Sequence, residues 1–210
     1  MTTTIESNDI QKLRFPIGLF EYGKTYQEEE MQQFIEKLGS FPASLKKLLT
    51  GITKQQLDSP YREGGWTIRQ VIHHLADSHI NAYTRMRLAL TEDTPAIKPY
   101  DQQLWAELPD AITADPEASL AILTGIHNRW SLLMQSLAPE DFQRLYYHPE
   151  HQMSHTLGEL IAQYAWHCDH HLAHIQMVTG IQAPAKPKTA RAPKPKASAV
   201  KKTVKKQTGK

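Results

Sequence analysis

The chain has 210 residues, enough for one domain with its own core and no need of disulfide staples. Cys168 is the only cysteine, which excludes an intrachain disulfide, and no apolar run nears the roughly twenty residues that span a bilayer. The net charge of +2 hides a division: residues 183–210 hold ten of the 24 Lys and Arg and none of the 22 acidic residues, leaving the remainder at −8. A soluble, unexported, cytoplasmic protein with an acidic body is expected.

Helical periodicity dominates the chain. Residues 25–49 read as a first helix with Met31, Phe34, Ile35 and Leu38 on one side, and Gly39 and Pro42 are expected to bend or break it before Leu45, Leu48 and Leu49. A turn-rich stretch, Asp58 to Gly65, then stops regular structure. Thr67 with Gln70 three residues later forms a capping box that opens a second helix reaching about Leu90. The link over residues 91–114 carries Pro95, Pro99 and Pro109 with Tyr100 and Trp105, and should pack across the bundle. Asp115 as N-cap and Pro116 at the first helical position open a third helix. Its seam is Leu120, Leu123, His127, Trp130, Met134 and Leu137, spaced by three and four. Thr156 and Glu159 make another capping box for a fourth helix, which runs to Val178 and ends at Gly180. These elements predict an all-α four-helix bundle over residues 1–182. Residues 183–210, rich in Lys, Pro and Ala, offer too little apolar surface to order, so a disordered basic tail with weak, salt-dependent polyanion binding is expected.

His167 and His171 are four apart on the fourth helix and therefore share a face. On a helical wheel Leu157, Ile161, Tyr164, Cys168, Leu172 and Ile175 mark the apolar centre, with His171 inside that stripe and His167 at its margin. Trp166, Asp169 and His170 point away, so the rival pair His170 and His174 is the weaker one. Imidazole is the commonest ligand for zinc and its neighbours, and two such ligands need a third. On the second helix the wheel gives Ile68, Ile72, Leu75, His79, Ala82 and Met86 as the apolar centre, with His74 at the edge of that face and His73 outward; His74 and His79 are equal candidates, and a packed core histidine is the competing reading for each, as it is for His127. Cys168 follows His167 where a zinc protease would have Glu, which argues against a metal peptidase.

The run Pro60-Tyr61-Arg62-Glu63-Gly64-Gly65-Trp66-Thr67-Ile68-Arg69-Gln70-Val71-Ile72-His73-His74-Leu75 resembles the signature of the YfiT-type metal-dependent hydrolases of the DinB-like superfamily. Ile97-Lys98-Pro99-Tyr100-Asp101, His127-Asn128-Arg129-Trp130 and the stretch from Trp166 to Ile175 extend the likeness from about Phe15 to Val178. The resemblance implies a DinB-like four-helix bundle, a homodimer, and one divalent metal held by His74, His167 and His171. It thereby selects His74 over His79. The implied activity is hydrolysis of a small-molecule substrate by water activated on Zn2+, one per subunit, with Ni2+ or another divalent ion as a substitute. Two alternatives are a metal-dependent transferase of low-molecular-weight thiols and a non-catalytic metal-stabilised module. Asp77, Glu159 and His127 are candidates to orient the ligating rings.

Overall fold

The computed structural model describes residues 8–180; the basic tail expected over 183–210 lies outside the described residues. In chain order the elements are α1 (Asn8–Arg14), α2 (Glu28–Leu48), α3 (Lys54–Leu57), α4 (Ile68–Thr91), α5 (Gln102–Ala106), α6 (Pro109–Thr113), α7 (Pro116–Gln135), a 3-10 turn (Pro139–Gln143), β1 (Leu145–His148), β2 (Met153–Thr156) and α8 (Leu157–Thr179). The bundle is formed by α2, α4, α7 and α8. Each of α2 and α4 packs on both α7 and α8, so α2 and α4 face each other across the diagonal. Consecutive long helices are therefore not always neighbours, and the link from α2 to α4 crosses one end of the bundle.

Local chemistry sets the helix boundaries. Thr67 accepts the Gln70 N–H while the Gln70 side chain returns to the Thr67 N–H, and Thr156 and Glu159 repeat the arrangement. Gly180 closes α8 in the left-handed conformation at φ 66°, which L side chains resist. The inner stripes predicted for the second and third helices are the core: Ile68, Ile72, Leu75, Ala82, Met86, Leu123 and Trp130 are fully buried. Cys168 sits among them as a buried apolar residue, and burial pushes its thiol pKa up.

Two expectations need correction. The first helix is unbroken at Pro42, because the carbonyl that Pro42 leaves without an N–H, that of Leu38, receives another donor, His127 Nδ1 at 2.6 Å. A hairpin, β1 paired antiparallel with β2, precedes α8 where no strand was expected; four-residue strands are too short for an alternating pattern to stand out. The link between α4 and α7 packs on α4 as expected, through the short helices α5 and α6.

The segment between α1 and α2 runs antiparallel along α8. Phe15 meets the ring of His170, Phe20 that of Trp166, Tyr22 Oη accepts from Gln163, and the Gly23 N–H donates to Glu159 Oε1 at 2.7 Å. Trp166 and His170, placed on the outward face by the wheel, are thus covered by the chain's own start. Asp169 alone of the three reaches a charged partner at the surface, Lys37.

Candidate metal centre

α4 and α8 cross so that His74, His167 and His171 converge, each offering one ring nitrogen within 4.8 Å of the others. His74 Nε2 and His167 Nε2 are 3.2 Å apart. Two nitrogens on a tetrahedral zinc at about 2.0–2.1 Å would be roughly 3.3 Å apart, so the spacing fits a shared cation. The three residues predicted from the sequence are those brought together. A second group, His170, His171 and His174, overlaps the first at His171.

Hydrogen bonds decide which nitrogen of each ring carries its proton. Leu38 O can only accept, so His127 Nδ1 donates to it and His127 Nε2 holds a lone pair. That lone pair accepts from His79 Nδ1 at 2.7 Å, which leaves His79 Nε2 to accept from His167 Nδ1 at 3.3 Å. His167 Nε2 is then unprotonated and faces His74. Pro42, by freeing the Leu38 carbonyl, stands at the start of this relay. A parallel one serves His171: His174 Nε2 donates to the carbonyls of Leu13 and Arg14, so its Nδ1 accepts from His171 Nδ1 at 3.3 Å. His171 Nε2 keeps the lone pair. Because His174 Nε2 is committed to carbonyls and the relay protonates His171 Nδ1, the first histidine group is the better cation site.

Burial favours the neutral, ligating form of all three. It depresses the His74 pKa to about 4, with His174 adding repulsion, and holds His167 and His171 well below the ordinary value. The turn before α4 adds aromatic walls. Gly64 takes φ +63°, and a Cβ on Gly65 would lie 2.7 Å from Arg62 Cγ, so the two glycines let the chain double back. Tyr61 then stacks on His174 at 4.0 Å, and Trp66 meets His74 at 4.7 Å while donating to Gln103 Oε1. The resulting cavity, about 310 Å3, is bordered by all three convergent histidines and by no carboxylate among the described residues. A larger cavity of about 590 Å3 has no histidine in its lining and lies apart from this chemistry.

The other candidates separate. His79 and His127 are wholly buried relay members. His73 is buried rather than outward, held by Ser119 Oγ at 2.7 Å and the Ala114 carbonyl. Of the three proposed orienting groups only His127 joins the site. Glu159 accepts from Gly23 and Thr156, and Asp77 faces Asp110, its pKa pushed up to about 6 by burial and that neighbour. The sequence did not single out His174 as an orienting group; its i, i+3 relation to His171 was the available signal.

A profile of the DinB superfamily matches residues 38–175. "Putative metal-dependent hydrolase YfiT" of Bacillus subtilis is 48% identical over 163 residues, covering 78% of this chain and 92% of that protein. A "Putative metal-dependent hydrolase" of Bacillus pumilus is 46% identical over 163 residues, covering 78% and 93%. A solved structure, "YfiT from Bacillus subtilis is a probable metal-dependent hydrolase with an unusual four-helix bundle topology", aligns with TM-score 0.78 and 46% identity over 80% of this chain and 97% of that one. The diagonal placement of α2 and α4 and the histidines of α4 and α8 thus have their setting: this chain belongs to the DinB superfamily.

Proposed function

We propose that His74, His167 and His171 hold one divalent cation, zinc as the first choice for three neutral imidazoles, and that the chain is a metal-dependent hydrolase of a small molecule. The observation that carries this reading is the pair of relays ending on backbone carbonyls, which leave lone pairs on His167 Nε2 and His171 Nε2. Ordinary core histidines need one partner; these sit in chains that fix the tautomer, as ligating rings require. The names of the relatives agree with metal dependence. A bound divalent ion supplies Lewis acidity toward water and toward a substrate carbonyl.

The chain's own residues do the rest. The His79–His127 relay keeps the His167 ring in one orientation, and His174 does the same for His171. Tyr61 and Trp66 pack on the outer faces of His174 and His74 and narrow the access of water. His170 Nδ1 is buried in the same cavity without a partner, and burial with His174 and His74 nearby holds its pKa down to about 3. A neutral ring there is suited to hydrogen-bonding a substrate.

The test is metal content of the purified full-length protein beside His74→Ala and His171→Ala, with hydrolysis of an ester and amide panel with and without chelator. About one equivalent in the wild type and under a tenth in each variant is expected, with turnover lost on chelation. Equal content in all three would end the proposal.

A further inference from the structure

His167 also borders a second cavity, about 420 Å3, that no step above uses. It is lined by Ser78, Arg85, Tyr100, His148 and Tyr164, and shares Gln102 and His167 with the first. Two of its lining residues each bury a polar atom with no hydrogen-bond partner, Arg85 Nε and His148 Nδ1. Buried polar atoms in native proteins are nearly always satisfied, so two orphans on side chains that line one cavity point to something that belongs there. Arg85 is in none of the ion pairs among the described residues. Two acids do border the cavity. Asp101 is committed to the N-terminus of α5, where Oδ1 accepts from Gln103 and Leu104, and Glu150 is exposed. The Arg85 charge instead falls on hydroxyls and rings, favouring the ionised forms of Tyr100 and Tyr164 against the burial that raises their pKa values.

We propose that this second cavity binds the oxyanion end, carboxylate or phosphate, of the small-molecule substrate, with Arg85 as the charged anchor and His148 as its hydrogen-bonding neighbour. A guanidinium presents paired donors that match such groups, and in a partly buried cavity the pair is stronger than at the surface. His148 is neutral, its pKa held down to about 4 by burial together with His151 and Arg85, so it adds a hydrogen bond and not a charge. A ligand anchored on Arg85 reaches the first cavity past His167, which borders both. The volume suits a compact metabolite and not a polymer. The inference rests on the hydrolase reading for which bond reacts, but not for where the anion sits.

The experiment is calorimetric titration of the full-length protein in chelator with two probes, inorganic phosphate and succinate, which separate the phosphate and carboxylate sources. At least one should bind with a Kd of about 1 mM, weakened at least about tenfold in Arg85→Gln and less in Arg85→Lys, which keeps charge but loses the fork. His74→Ala should bind within about twofold of wild type, because His74, unlike His167, does not border this cavity. Unchanged binding in Arg85→Gln, or no saturable binding of either probe by about 50 mM, overturns the proposal. Binding lost in His74→Ala but kept in Arg85→Gln places the anion on the histidine cluster and also overturns it, leaving the metal reading intact. Absence of metal from the wild type overturns only the earlier reading, since these titrations are metal-free. Should Arg85→Gln fail to fold, His148→Phe serves, with a loss of about fivefold expected and an unchanged Kd refuting the site.

Discussion

Replacing His127 tests the relay without touching a ligand. The ring is fully buried and joins Leu38 O at 2.6 Å to His79 Nδ1 at 2.7 Å. In His127→Phe both partners are stranded, because Pro42 cannot supply the Leu38 carbonyl with an N–H; each stranded group costs about 1–3 kcal/mol, so a loss of roughly 2–6 kcal/mol is expected. His127→Asn separates the two halves. Its amide can reach the Leu38 carbonyl but not His79, so part of the stability should return while His79 and His167 stay free to change tautomer. Loss of such an outer partner lowers metal affinity by about 10–100-fold, or roughly 1.4–2.7 kcal/mol. Competition against a chromophoric chelator at pH 7.5 measures the affinity, and urea unfolding in chelator measures stability. A folded His127→Asn protein whose metal affinity stays within about twofold of wild type would refute the relay as the orienting device.

Metal-free protein should lose stability on acidification. Burial lowers the pKa values of His74 and His127 to about 4, below the unfolded value of 6.5, so the unfolded chain binds more protons between those limits. Their contribution is complete above about pH 6.5 and fades as pH falls toward 4, at most about 3 kcal/mol each, and urea midpoints that are flat from pH 7 to 5 would contradict it. Deleting residues 1–14 removes the carbonyls that hold His174 Nε2, and metal affinity should fall about tenfold with helix content nearly unchanged; chelator competition and circular dichroism check both. Gly65→Ala forces a Cβ to 2.7 Å from Arg62 Cγ, so the turn must shift and the Tyr61 stack on His174 loosen, at a cost of about 1–3 kcal/mol in chemical unfolding.

Much of the frame is written in short-range signals. Capping boxes at Thr67 and Thr156 and the Asp115-Pro116 start depend on residues within one helical turn, and each sits where the sequence puts it. The same holds for the shared face of His167 and His171 and for the core stripes of α4 and α7, since helical periodicity alone defines them. Choosing His74 over His79 was beyond the wheel, and only the motif resemblance made that choice. Tertiary structure decided what lies between helices: the diagonal pairing of α2 with α4, the N-terminal strap over Trp166 and His170, and the role of Pro42. That proline reads as a helix breaker because sequence shows the N–H it lacks. The donor that replaces it, His127, comes from a helix 89 residues downstream of Leu38, and only packing brings the two together.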